Sequence, residues 1–95
     1  MHASVRKFKV DPGRMEEVLR RIDDGFVPRI ADSPGFRAYH AINAGNGILI
    51  TVTFGDDLEA VERTTEIGLE FVRDELSDLE VERVEAAHGE VMISE

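Results

Sequence analysis

The sequence predicts one α+β domain, built in the order β-α-β-β-α-β. Three observations predict this order. Both ends alternate polar and apolar residues as strands do, two internal stretches repeat apolar residues at helical spacing, and a glycine-containing turn separates two strand-like runs. The chain has 95 residues, which suits one small domain, so we expect residues 1–95 to fold as a single unit.

The first half of the chain reads as a strand followed by a helix. Residues His2–Val10 alternate, and the Asp11-Pro12 pair that follows is a helix-start signal. The Asp side chain can accept hydrogen bonds from free amides, and Pro at the first helical position loses no bond. Pro28 lacks an amide and its ring crowds the preceding turn, so we expect a kink or an end within residues 25–30.

A hairpin and a second helix follow. Phe36–Asn43 and Ile48–Phe54 are predicted strands, joined by a turn over residues 44–47 that contains two glycines. The second helix is predicted to begin at Asp56 or Asp57 and to run to about residue 76, because an acidic residue before an apolar helical repeat is a typical start.

The last strand begins near Leu79, and its alternation changes phase near Arg83 and Gly89. A bulge or bend at each of these positions explains both changes. We expect the final residues, 90–94, to leave the sheet.

These elements predict a ferredoxin-like fold: a four-stranded antiparallel sheet with two helices on one face, because right-handed crossovers place both helices on the same side. The apolar set on the second hairpin strand is expected under the helices: Ile48, Ile50, Val52 and Phe54. The opposite, open face is then expected to carry a mixed set: Ser4, Arg6, Phe8, Leu49, Thr51 and Thr53. Pairing two open faces in a homodimer would close a dimeric α/β barrel with a lined cavity.

The composition excludes several kinds of site and partner. Twenty acidic and eleven basic residues give a formal charge of −9, which repels nucleic acids and anionic lipid surfaces. No long apolar run suggests a membrane segment or a signal peptide, and we expect a cytoplasmic protein. The absence of cysteine excludes disulfides and thiol chemistry. His2, His40 and His88 show no one-turn helical spacing, so no protein-bound metal is expected.

Four sequence features together resemble the antibiotic-biosynthesis-monooxygenase-like family of dimeric α/β barrels. They are Val5-Arg6-Lys7-Phe8, Asp11-Pro12-Gly13, Ser33-Pro34-Gly35-Phe36 with Tyr39, and the acid-started second helix. The resemblance implies a homodimer and, as in some members, cofactor-independent oxidation of polycyclic aromatic substrates or oxidative opening of haem. The chain has no Trp and no His on its second helix to ligate haem iron, so the haem-opening branch is disfavoured. No cofactor is expected.

Arg6 is the strongest candidate for a functional residue. A guanidinium on a central strand that faces a cavity needs either an acidic partner or a ligand. A structural salt bridge to Glu80 or Glu82 is the alternative. Tyr39 and His40 are adjacent on a strand, so only one of them can line the cavity.

His40 shares a face with Phe36, Ala38 and Ile42, which favours a packed core histidine over a general base. A Tyr39 phenol in the cavity would either donate to a substrate oxygen or bridge the subunits.

Two functions fit these features. In the first, the barrel cavity binds a small hydrophobic or aromatic ligand without chemistry. In the alternative, the protein is a cofactor-independent monooxygenase acting on an electron-rich polycyclic or quinol substrate, with the substrate anion stabilised in the cavity. The sequence assigns no catalytic residue. The candidate cavity residues are Arg6, Phe8, Tyr39, His40, Thr51 and Thr53.

Overall fold

The computed structural model describes all residues from Met1 to Glu95. The strands are β1 (His2–Lys9), β2 (Phe36–Gly45), β3 (Ile48–Gly55) and β4 (Glu82–Glu90), and the helices are α1 (Met15–Arg21), α2 (Val27–Ala31) and α3 (Leu58–Glu75). The four strands form one antiparallel sheet in the order β2-β3-β1-β4. The predicted ferredoxin-like fold is therefore confirmed. No helix combines the length and apolar character that crossing a membrane requires.

One continuous helical stretch connects β1 to β2. A 3₁₀ turn begins it, with the Asp11 carboxylate accepting from the Gly13 amide at 2.9 Å, as the helix-start signal predicted. Between α1 and α2, residues Ile22–Phe26 form a π-helical segment. Pro28 lies in α2, so the helix continues through it. A wider π turn just before a proline relieves the crowding that the ring would cause in a regular helix.

The hairpin turn also fastens the end of β1. Asn46 and Gly47 have φ angles of 54° and 76°, the positive values that a two-residue hairpin turn of this kind requires. The Val10 amide donates to the Gly47 carbonyl at 2.7 Å. A Cβ atom at position 47 would lie 2.3 Å from the Val10 oxygen, so only glycine fits this approach.

The sheet has three register shifts, one in β4 and two in β2, of which the second in β2 lies at the hairpin end, between Asn43 and Gly45. In β4 the pairing with β1 shifts between Lys7 and Phe8, so that Phe8 faces Arg83 and Val84 is the extra residue. This confirms the irregularity predicted near Arg83, whereas the register is unbroken at Gly89. In β2 a shift lies between Phe36 and Ala38. Residues 91–95 leave the sheet, as predicted.

The two faces of the sheet are the reverse of those predicted. Leu49 is only 1% exposed and lies beneath the helices, together with Ser4, Thr51 and Thr53. The apolar set expected there lies instead on the open face: Ile48, Ile50, Val52 and Phe54. Alternation shows which residues share a face, but it does not show which face the helices cover. Here the more polar face lies under the helices.

The hydrophobic core lies between the helices and this covered face. Asp57 begins α3, since its carboxylate accepts from the Ala60 amide at 2.9 Å. The core side chains come from every layer: Val10, Met15, Val18, Ile22, Phe26, Ile30, Leu49, Phe71, Leu76 and Leu79. The core is incomplete beside β1 and β3, where a cavity remains.

Candidate ligand cavity

A cavity of about 380 Å³ lies between the sheet and the helices of a single subunit. This volume is within the range of about 300–1,000 Å³ that is usual for small-molecule sites. Its floor consists of neighbouring strand positions on the covered face. Tyr39, Thr53 and Ser4 form one cross-strand row, and Thr51 and Arg6 form the next. Short hydroxyl side chains leave the space that larger residues would fill.

Aromatic rings form much of the wall. Phe26 comes from the π-helical segment and Phe71 from α3, and their ring centroids are 5.7 Å apart. The Tyr39 ring meets Phe26 edge to face, with centroids 5.2 Å apart and planes inclined by 69°. Such edge-to-face pairs are a favourable geometry for aromatic rings. The result is an apolar aromatic wall that includes the Tyr39 ring.

Helix α3 faces the cavity with small or hydroxylated side chains. Gly68 lines it, and a Cβ atom there would lie 3.6 Å from the Phe26 ring, an ordinary contact distance. Thr64 and Thr65 also line it, and each hydroxyl donates to the Val61 carbonyl, at 2.7 and 3.0 Å. Back-bonding of this kind satisfies a threonine hydroxyl within its own helix.

Arg6 enters the cavity from β1 without an acidic partner. Its Nη2 group donates to Thr65 Oγ1 at 2.8 Å, and no carboxylate lies within ion-pair distance. The predicted alternative of a salt bridge to Glu80 or Glu82 is therefore wrong. Burial, and next the positive charge of Arg83, lower the pKa of Arg6. A guanidinium nevertheless keeps its charge in proteins, so a half-buried cation faces the cavity.

Tyr39 presents a neutral phenol to the same space. Burial raises the pKa of Tyr39 to about 12, while the nearby Thr51 side chain and the charge of Arg6 act in the opposite direction. At neutral pH the phenol therefore keeps its proton and can donate a hydrogen bond. Tyr39 and Arg6 together give the cavity two donors of different charge.

The structure brings together five of the six candidate residues. Arg6, Phe8, Tyr39, Thr51 and Thr53 all line the cavity. It lies under the helices, however, whereas the sequence placed it at the open face between two subunits. A floor built from one sheet needs no second subunit to form it.

His40 is the exception among the candidates. It lies exposed on the open face, with its ring edge to face against Phe54 at 6.2 Å. The core-histidine interpretation of His40 is therefore wrong, and His40 does not line this cavity. The cause is the bulge after Phe36, which places Phe36 and Tyr39 on the covered side and His40 on the other.

The sequence reasoning missed the helical part of the cavity. All the predicted cavity residues lie on strands, so Phe26 and Phe71 are not among them. The run of Thr64, Thr65 and Gly68 on one helix was the available signal, since small and hydroxylated residues leave room against a sheet. No group of three or more His, Cys, Asp or Glu residues is placed to hold a metal ion.

The alkaline titration of Tyr39 tests the burial of the phenol. Tyr39 is the only tyrosine and the chain has no Trp, so ultraviolet absorbance reports this group alone. We expect the folded protein to titrate near pH 12, and the protein in denaturant near the ordinary value of about 10.

The sign of the stability change follows from these values. A raised folded-state pKa contributes stability that is present below about pH 10 and lost as the pH rises toward the folded value. At about 1.4 kcal/mol per pKa unit, the free energy of unfolding should fall by about 3 kcal/mol over this pH range. The Tyr39→Phe variant should not show this pH-dependent fall. A native titration midpoint near pH 10 would contradict the buried placement.

No protein-family model matches the sequence, and no curated protein matches it significantly. Solved structures do match its fold. A monooxygenase from the gene ActVA-Orf6 of Streptomyces coelicolor, in complex with the ligand nanaomycin D, aligns with a TM-score of 0.72 and 18% identity, over 98% of this chain and 92% of its own. A dimeric ferredoxin-like protein from an uncultured marine organism aligns with a TM-score of 0.74 and 16% identity, over 98% and 94%.

A third match is a variant of MhuD with two manganese protoporphyrin IX molecules bound per active site. It aligns with a TM-score of 0.77 and 15% identity, over 99% of this chain and 97% of its own. Identities of 15–18% show a shared fold and leave the substrate open. The resemblance to the antibiotic-biosynthesis-monooxygenase-like family is thus confirmed at the level of the fold, which this chain shares with ActVA-Orf6.

Proposed function

We propose that the protein is a homodimer in which each subunit binds one small hydrophobic or aromatic molecule in its own cavity. The observation that carries this proposal is the cavity itself, about 380 Å³ and lined by aromatic rings together with a few polar donors. A mostly apolar pocket with a few convergent polar groups is the usual form of a ligand site. The apolar wall favours burial of rings, and the donors fix their orientation.

The open face supports the homodimer. Its cross-strand rows combine Ile42 with Ile50, and Val52 with Val5. Val5 is 43% exposed and Ile42 46% exposed in the single chain. The same two rows also contain Lys7 and His40, so the aliphatic residues form a patch within a mixed face. An exposed aliphatic patch of this kind is expected to be covered. A second copy offers the same face, and packing two sheets through their apolar faces is a common arrangement.

The fold comparison adds support for the dimer, because one of the matching structures is a dimeric ferredoxin-like protein. In the proposed assembly the two sheets lie back to back and the two cavities lie on the outer sides, beneath the helices. The dimer then stabilises the floor of each cavity without contributing side chains to it. Ligand binding and subunit association are separable in this arrangement.

A second candidate function is a cofactor-independent monooxygenase acting on an electron-rich polycyclic or quinol substrate. The adjacent Arg6 and Tyr39 favour it, since a cation and a phenol donor can together stabilise an oxyanion in a largely dry site. The fold shared with the ActVA-Orf6 monooxygenase supports it further. In such a reaction on a quinol, a ring C–H becomes C–OH while the quinol becomes the quinone; one oxygen atom of O₂ enters the product, the other leaves as water, and the substrate supplies all four electrons.

Haem is a third candidate ligand, because the matching MhuD variant binds a metal porphyrin. The residues that line the cavity of this chain do not fit haem. None of them is His, Cys or Met, the commonest axial ligands. Tyr39 is the one lining residue that can ligate haem iron in other proteins, but its raised pKa opposes the phenolate form that iron binds. We therefore propose no haem chemistry for this chain.

The dimer is tested by placing a charge at the centre of the open face. Val52→Glu should give a folded monomer, because two buried carboxylates would face each other across the interface. Leu58→Glu is the matched control: this residue is 41% exposed at the start of α3, where a carboxylate is tolerated. Light scattering should show a dimer for wild type and the control. A monomeric wild type would contradict the assembly.

Ligand binding is tested with N-phenyl-1-naphthylamine, a neutral dye that fluoresces when it enters an apolar site. Wild type should enhance its emission, and Gly68→Met should abolish the effect by filling the cavity. Gly68→Ala is the control that leaves most of the space. Both substitutions should raise the free energy of unfolding, by up to about 1 kcal/mol, because glycine is unfavourable inside a helix. Equal dye binding by the Met variant would place the dye elsewhere.

The oxidation is tested by oxygen uptake with a panel of polycyclic quinols. If the second candidate is correct, wild type should consume O₂. Tyr39→Phe and Arg6→Gln should each lower kcat by about ten- to a hundredfold, which is at or below the usual effect of removing one oxyanion donor. Arg37→Gln, on the surface, is the control. If the dye binds but no quinol causes oxygen uptake, the binding function stands and the monooxygenase function is contradicted.

A further inference from the structure

We infer that the ligand of this cavity is an organic anion, an apolar ring system that carries a carboxylate or another acidic group. This inference rests on the proposed binding function and names its ligand class. The observation behind it is a reversal of charge. The whole chain carries 20 acidic and 11 basic residues, yet the cavity is lined by Arg6, Arg73 and Arg83 and by no Asp or Glu.

The pairing of the arginines makes this reversal sharper. Six arginines on the outer surface or at the cavity rim have acidic partners: Arg20, Arg21, Arg29, Arg37, Arg63 and Arg73. Three arginines have none: Arg6 and Arg83, which line the cavity, and Arg14, which lies outside it and donates to the Asp78 carbonyl at 3.1 Å. Two of the three arginines without a carboxylate partner thus line the cavity. Both of the unpaired arginines that line the cavity are therefore available to a ligand.

The bulge in β4 is what brings Arg83 to this place. Without the extra residue, strict alternation would put Val84 opposite Phe8 and turn Arg83 to the open face. The bulge puts Arg83 opposite Phe8 instead, on the covered side with Arg6. Bulges often redirect a side chain beside a functional site. Here the redirected side chain is a second cation.

Arg6 is half-buried and Arg83 lies at the exposed rim, so the cavity has two cations on one side with no anion between them. Burial, and after it the charge of Arg83, lower the pKa of Arg6, as expected for two like charges that repel each other. The remaining polar groups add donors: the protonated phenol of Tyr39 and the Thr51 and Thr53 hydroxyls. An acidic group on the ligand would accept from these donors and relieve the repulsion. A cationic ligand would neither accept hydrogen bonds from these donors nor relieve the repulsion between the arginines.

The aromatic wall then selects an organic anion over a bare inorganic one. Phe26 and Phe71 cannot hydrogen bond, and an ion that filled only the Arg6 end would leave the space beside them empty. A molecule with a ring system and one acidic group satisfies both halves of the cavity. The acidic group lies at Arg6 and Arg83, and the rings lie against the phenylalanines.

Two matched dyes test this inference. The neutral N-phenyl-1-naphthylamine and its anionic relative 8-anilino-1-naphthalenesulfonate share the same rings and differ by one sulfonate. Wild type should bind the sulfonate about tenfold more tightly, the effect expected of a hydrogen-bonded charge pair. Arg6→Gln and Arg83→Gln should each reduce this preference several-fold, because each weakens binding of the sulfonate more than binding of the neutral dye. Arg14→Gln, outside the cavity, should change neither.

The outcomes separate this inference from the binding function. If the neutral dye binds and the sulfonate binds no more tightly, the anion inference is overturned while the binding function stands. If neither dye binds, both are overturned. If the glutamine variants lose both dyes equally, the arginines have a structural role and the inference is again overturned. Circular dichroism of each variant checks its fold, and Arg83→Gln on the exposed strand β4 is the variant least coupled to the core.

Discussion

The packing of the helices against one face of the sheet is the constraint on which the other features depend. Because the helical stretches cover only one side, the sheet has a covered face and an open face with different requirements. Leu49, Phe26 and Phe71 anchor the covered side. Beside them the floor is made of hydroxyl-bearing residues, which are too small to fill the space under α3. The cavity is the direct consequence.

The same constraint explains why the more apolar residues face away from the helices. Ile50 and Val52 belong to a face that the chain leaves uncovered, so their environment depends on another molecule. Thr51 and Thr53 tolerate burial because the cavity keeps their hydroxyls within reach of other polar groups. The charge distribution follows a similar division, because the residues that line the cavity include Arg6 and Arg83 but no carboxylate.

The order of elements could be predicted from sequence because its signals are local. Asp11 and Asp57 cap helices as expected, and the turn at Asn46-Gly47 sets the hairpin. The assignment of faces could not be predicted, because an alternating strand looks the same from either side and the favoured rule, that the most apolar face meets the helices, fails here.

Bulges added the second source of error. The shift after Phe36 reverses the expected side of His40, and the extra residue at Val84 moves Arg83 into the cavity. The shift in β4 could be predicted from the change of phase near Arg83, whereas the alternation of Phe36–Asn43 does not indicate the shift after Phe36. The candidate site could therefore be predicted in part: Arg6, Phe8, Thr51 and Thr53 share a face by simple alternation. Its helical wall required the three-dimensional packing of the π-helical segment.

The central claim is that each subunit holds its own ligand beneath its helices. Fluorine NMR of the protein containing fluorotyrosine tests it most directly, because Tyr39 is the only tyrosine and gives a single resonance. The measurement is made with N-phenyl-1-naphthylamine on wild type and on the Val52→Glu variant. Our account predicts that the dye shifts the resonance in both proteins. Dye fluorescence that shows binding while the resonance stays unchanged would contradict it and place the ligand outside this cavity.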